Sequence, residues 1–199
     1  MKRPILIYCG VIALSTFVCA QENLLPVAQS AGQMTVDAMK APLTKLEKLL
    51  LAKGDVIIKE FIKLGGVSDS SGTAVFSAMT VSGRNQNDVI IKGIRVEVFR
   101  GYSTSSTGFL DLEEIDKVIA SVDYMIKLAA EWKSIYNKPY TEVQYISAGE
   151  VKLGFYQELA KQQCFISCGN ILSTSNSMKI EALPKIKEVL EKGKATLEK

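Results

Sequence analysis

The chain has 199 residues, 47% hydrophobic and 23% charged, with 24 Lys plus Arg against 21 Asp plus Glu. That balance belongs to a folded domain and excludes wholesale disorder. There is no histidine, which excludes Ser-His-Asp and Cys-His catalytic units, HExxH zinc sites and histidine-ligated haem built from this chain.

Met1-Lys2-Arg3 is a short basic start, Pro4 to Val18 is almost wholly apolar, and Val18-Cys19-Ala20 leads into Gln21-Glu22. A basic opening, an apolar stretch and small residues around the junction predict a signal peptide over 1–20, cut after Ala20. The apolar run, about 15 residues, falls short of the roughly 20 that a spanning helix needs. Lipidation of Cys19 is the alternative, disfavoured because Val18 before it is not small. The expected location is therefore secreted or periplasmic, with membrane contact only if the N-terminus is retained or Cys19 is lipidated. Without Lys2 and Arg3 the chain carries 22 positive and 21 negative groups, a net charge of +1. No electrostatic case for nucleic-acid binding remains, and none is expected.

Residues 21–41 show no sustained period and read as a partly ordered lead-in to a single domain over 42–199. Pro42 to Gly54 predicts a short helix, with Leu43, Leu46, Leu49 and Leu50 on one face. Three strands are predicted next: 55–64, ended by Gly65-Gly66, then 73–81 and 89–99, in which Ile94, Val96 and Val98 alternate against Arg95 and Glu97. A Ser/Thr/Gly loop over 101–108 follows. Leu110 to Ile115 reads as a helix start, with Asp111 as N-cap, Glu114 completing a capping box and Leu110 with Ile115 as a hydrophobic staple. The stripe Leu112, Ile115, Ile119, Val122, Ile126, Ala129 predicts a helix over 112–133, and Pro139 ends it. Strands at 140–147, 150–158 and 163–168 come next, the first two joined by Ala148-Gly149. A short strand over 178–180 and a lysine-rich helix over 183–198 close the chain.

An offset of 71 superposes the two helices, Leu112 on Leu183, Ile115 on Ile186 and Ile119 on Leu190, together with the preceding strand groups. The expected fold is α+β: antiparallel sheets from two βββα-like halves, about 55–133 and 140–199. The helices pack on one face, and a short helix precedes the first half. The run Gly108 to Ile119, with Tyr124 and Tyr140-Thr141-Glu142-Val143-Gln144-Tyr145, resembles small secreted bacterial proteins of uncharacterised function over about the last 110 residues. The resemblance implies export and an α+β fold and supplies no catalytic residues. The strand-strand-strand-helix order is also similar to PUR-type nucleic-acid-binding repeats, an analogy of topology alone.

Cys164 and Cys168 are a candidate disulfide in an oxidising compartment. Four residues of regular strand span about 13 Å, too far for a bridge. Either the chain bends there, or both thiols lie free on one face. The carboxylates Asp111, Glu113, Glu114 and Asp116 could form a calcium site or an acid–base pair. Acids in a first helical turn also favour the helix dipole, and the ligand spacing of a calcium loop is missing. Trp132, Tyr136, Tyr140 and Tyr145 concentrate aromatics between the halves. The lysines of 183–198, offset by Glu188, Glu191 and Glu198, read as a solvated face. No catalytic, cofactor-binding or metal-ligating set emerges. The expectation is an exported non-enzymatic protein that binds a partner or a small apolar ligand. A carboxylate-dependent hydrolase and a surface-associated adaptor are the alternatives.

Overall fold

The computed structural model describes residues 43–84, 89–101, 104–169 and 174–199. The predicted signal peptide, Cys19 and the lead-in over 21–41 lie outside the described residues. Helix α1 spans Lys45–Leu50, followed by strands β1 (Ile57–Asp69), β2 (Gly72–Gly83), β3 (Ile90–Arg100) and β4 (Thr104–Asp111). A 3-10 turn, Leu112–Glu114, leads into α2 (Ile115–Trp132). Then come β5 (Lys138–Ile146), β6 (Val151–Leu159), β7 (Lys161–Cys168), β8 (Thr174–Lys179) and α3 (Ala182–Leu197). The strands form two antiparallel four-stranded sheets, β1-β2-β3-β4 and β5-β6-β7-β8, each in sequence order. The fold is α+β, as the sequence predicts, with one more strand in each half's sheet than its clearest strand signals.

The extra strands correct the reading at two places. Residues 104–111, read in the sequence as loop up to Gly108 and as helix start from Leu110, pair with β3 from Arg100↔Thr104 to Gly93↔Asp111. Ser105, Ser106 and Thr107 alternate along an edge strand, where polarity carries little penalty. The weak signal near 178–180 belongs to β8, which starts at Thr174. Gly65-Gly66 does not end β1 either. The register slips between Lys63 and Gly65, a bulge, and the strand continues to Asp69. The β5–β6 loop is a three-residue one. Glu150 N–H donates to Ser147 O at 3.3 Å, Ser147 N–H donates to Val151 O at 2.9 Å, and Glu150 takes φ +60°. That is a turn closed by a residue in the left-handed region.

The helix start at Asp111 is also built differently. Asp111 makes no cap bond to its own helix. Thr44 and Glu47 instead form a reciprocal capping box on α1: Thr44 N–H donates to Glu47 Oε2 at 2.8 Å and Glu47 N–H donates to Thr44 Oγ1 at 3.1 Å.

Each helix packs mainly on the sheet of the other half. α3, which follows the second sheet, lies on β1, β2 and β3, whereas α2, which follows the first, lies on β5 and β6. Lys192 Nζ of α3 donates to Leu64 O at 2.8 Å, and Gln162 Nε2 of β7 donates to Ala129 O of α2 at 2.8 Å. Between the helices, Lys187 pairs with Asp123 at 2.7 Å and Lys194 with Asp116 at 2.6 Å. The main core is therefore shared. Phe76, Ile94 and Val96 come from the first sheet, Leu153, Phe155 and Ile166 from the second, and Ile115, Val122, Ile186 and Leu190 from the helices. A second cluster joins Leu46 and Leu49 of α1 to Met79 and Val81 on the opposite face of β2.

Two glutamines close the C-terminal end of α2, which has no basic residue in its last turn. Gln157 is fully buried, and its Nε2 donates to Trp132 O at 3.3 Å and to Ile135 O and Leu159 O at 2.8 Å. Gln162 Nε2 donates to Gln157 Oε1 at 2.8 Å. These bonds add second donors to Ala129 O and Trp132 O, which already accept from Lys133 N–H and Ile135 N–H, and tie the helix end to β6 and β7. Gln157→Leu keeps the volume and removes every bond, so urea unfolding should show a loss of about 2–3 kcal/mol. An unchanged midpoint would show that the network contributes nothing.

Candidate functional site

The four carboxylates around the start of α2 do not converge on a site. Asp111 caps another helix: its Oδ2 accepts from Lys45 N–H at 2.7 Å and its Oδ1 from Leu46 N–H at 3.2 Å. Glu113 pairs with the Lys45 ammonium, which holds its carboxyl below the usual range. Glu114 accepts from Tyr145 Oη at 3.0 Å and from Ala148 N–H at 3.1 Å. Asp116 pairs with Lys194 of α3. One acidic stretch thus ties its turn to α1, to β5 and its hairpin, and to α3. Among the described residues no three His, Cys, Asp or Glu side chains are placed to share a metal ion.

The aromatics separate in the same way. Trp132 packs on Phe155, ring centroids 5.3 Å apart, with Lys138 Nζ 3.7 Å from its ring centre. Tyr140 lies against Tyr156 at 5.6 Å and donates to Glu142 at 2.7 Å, while Tyr136 stands in solvent. Tyr145 faces the helix side of the sheet. Burial first, and then the Glu114 carboxylate, push its phenol up to about 12. The lysines of α3 are not merely a solvated face, because Lys187, Lys192 and Lys194 each hold the helix to α2 or β1. The glutamine pair had no sequence signal, since a glutamine inside a strand pattern marks nothing until the helix end above it is known.

Cys164 and Cys168 are free and fully buried on one face of β7. The register is regular through both, with Phe155↔Cys164↔Met178 and Val151↔Cys168↔Thr174. The strand does not bend, so of the two arrangements open to this pair the structure has separate thiols.

Several isoleucines of the first sheet are exposed to solvent. Across the helix-facing side of the first sheet, Ile58, Ser82 and Ile90 form one row, Glu60, Thr80 and Lys92 the next, and Ile62, Ala78 and Ile94 a third. α3 ends at the middle row, where Lys92 Nζ donates to Leu197 O at 2.5 Å. Beyond it Ile58 is 55% and Ile90 62% exposed, and at the sheet edge Ile62 is 57% exposed. Val56 and Val89 extend the same end of the sheet. A cavity of about 480 Å³ opens beside it, lined by Ile90, Ile91 and Leu112 and flanked by Lys45, Lys92 and Glu113. This open end is the strongest candidate for a binding surface: isoleucines on one face, uncovered because the helix above them stops short.

Burial pushes both thiols up to about 12 from an ordinary value of 9.0. The folded chain therefore keeps protons that the unfolded chain loses. Between pH 7 and about 9 the thiols leave stability flat, and it should fall as pH rises toward 12, with Tyr145 adding to the decline above about pH 10. Urea midpoints measured from pH 7 to 11 check this. A maleimide probe should label neither thiol in the native protein at pH 7.5 and both after denaturation without reductant.

The chain matches no protein-family model, no curated protein and no solved structure with which it was compared.

Proposed function

We propose that this is an exported, non-enzymatic protein that binds a small apolar ligand at the open end of its first sheet. The carrying observation is the exposure of Ile58 and Ile90 in the row beyond the last turn of α3, with Ile62 exposed at the β1 edge. The dispersal of the acidic residues among α1, α3 and the β5–β6 hairpin favours binding over a carboxylate-dependent hydrolysis. Export rests on the basic-apolar-small order of residues 1–20. No described helix is long and apolar enough to cross a membrane. Nucleic acid has no electrostatic claim on a chain whose net charge is +3, and +1 after the proposed cleavage. The reading of the halves as a duplicated unit draws support from the offset of 71 only in part: it carries β7, β8 and α3 onto β3, β4 and α2, but sets β5 and β6 on 67–75 and 80–88, out of step with β1 and β2.

Binding is tested with 1-anilinonaphthalene-8-sulfonate on the folded protein. Fluorescence enhancement should fall at least about fivefold in Ile58→Ser/Ile90→Ser, while exposure of both side chains keeps the stability cost near about 1 kcal/mol. Undiminished enhancement would sink this site. Export is tested by the intact mass of the protein recovered outside the cytoplasm, which should begin at Gln21. A lipid adduct on Cys19 would sink the proposed cleavage.

A further inference from the structure

The outer sides of β1, β4, β5 and β8 are the edges of the two sheets. Two of them lie against the opposite half. Phe109 N–H of β4 donates to Gly149 O at 3.3 Å, and from β8 Thr174 N–H donates to Ser106 Oγ and Lys179 N–H to Asp69 Oδ2, both at 3.2 Å. β1 and β5 remain, and they are treated differently. The β1 edge carries a bulge beside Gly65, a lysine from α3 bonded to Leu64 O, and Lys59 and Lys63 along the strand. Bulges and edge lysines are the usual guards against edge-to-edge pairing. β5 carries such guards only at its start, Lys138, Pro139 and a register slip between Lys138 and Thr141; from Thr141 to Ile146 it has no Lys, Pro or Gly and runs in regular register against β6. Its open face shows Tyr140 at 58% and Ile146 at 54% exposure.

We infer that β5 pairs antiparallel with β5 of a second copy of this chain, about a two-fold axis at Val143, joining two four-stranded sheets into one. In that register Val143 faces the partner's Val143, Glu142 the partner's Gln144, Thr141 the partner's Tyr145, and Tyr140 the partner's Ile146. Each carboxylate meets an amide donor, and the two exposed apolar side chains of the open face cover each other, twice by symmetry. Moving the axis to Glu142 opposes two carboxylates, and moving it to Gln144 sets Glu142 against Ile146. On the β1 edge an axis at Lys59, Glu60 or Lys63 opposes identical charges, one at Phe61 sets Lys59 against Lys63, and one at Ile62 runs Glu60 and Lys59 into the bulge at Leu64 and Gly65. A groove of about 340 Å³ lies beside the middle of β5, lined by Val143, Gln144 and Tyr145 and by Ala120, Ser121 and Tyr124 of α2.

The test is sedimentation equilibrium of the purified protein, with thermal melts to confirm that each variant is folded. The wild type should be a dimer. Gln144→Glu opposes Glu142 twice and should weaken it about tenfold, Glu142→Lys alone should change it little, and Glu142→Lys/Gln144→Glu should restore it. A wild type that stays monomeric up to about 0.1 mM, a dimer indifferent to Gln144→Glu, or a double variant that fails to recover would each overturn the inference. Because the readout is mass, its failure is independent of dye binding at the first sheet.

Discussion

The exchange of helices between halves is the constraint on which the rest of the structure depends. An antiparallel sheet with one apolar face must have that face covered. Here the cover for each sheet is mainly the helix made after the other. The first sheet cannot bury Ile94 and Leu64 until α3, at the far end of the chain, has arrived. The contact is close. A Cβ on Gly193 of α3 would lie 2.6 Å from Ile94 Cδ1 and 2.8 Å from Leu64 Cδ1. A mid-helix glycine normally costs about 1 kcal/mol against alanine, and this one is retained where the helix comes nearest the sheet. The halves therefore fold as one cooperative body, since a half alone keeps its sheet without its lid.

Much of this was legible in the chain, and the failures have physical causes. The stripes that made α2 and α3 predictable, Ile115 to Ala129 and Leu183 to Leu197, are strong because both helices face the core along their length. β3 was clear because Ile94, Val96 and Val98 face the core while Arg95 and Glu97 face solvent. β4 was hidden because Thr104 to Thr107 pairs only through its backbone, and backbone pairing leaves no pattern in side-chain type. β1 was cut short at Gly65-Gly66 because glycine marks a bulge and a strand end equally well. The capping box at Asp111 failed for a different reason. Its residue types are right for a local cap, but α1 brings its own open N–H groups to Asp111 from 66 residues away in sequence. Local grammar cannot see a partner that only the tertiary fold supplies.

The same logic explains why acidic residues that look like a catalytic or metal cluster are neither in this fold. Adjacent residues at a helix start point in different directions, so Asp111, Glu113, Glu114 and Asp116 reach different elements. Each then finds a cation or backbone donor of its own. The stretch works as a junction: α1, the β5–β6 hairpin and α3 are all held to a turn of a few residues. The two glutamines do at the other end of α2 what the acids do at its start. Between them they fix the rotation and height of the helix over β5 and β6.

Fixing α2 so firmly also decides where the molecule is left open. α2 sits over β5 and β6 without reaching past the β5 edge, and α3 stops at Leu197 before covering Ile58 and Ile90. The two openings differ in kind. At the first sheet the uncovered surface is a face of isoleucine side chains, which hydrogen-bonding geometry does not constrain and which suits an apolar ligand of adaptable shape. At β5 the uncovered surface is a row of main-chain donors and acceptors, which water satisfies and which another strand can take over as a regular ladder. The guards on β1 bear on both. Lys59, Lys63 and the bulge beside Gly65 keep a strand from adding at the edge of the apolar face, which would otherwise be closed by self-association. Guarding β5 only at its Lys138-Pro139 start while guarding β1 along its middle separates assembly from binding, so that a dimer formed through the second sheet keeps both apolar ends of the first sheets free.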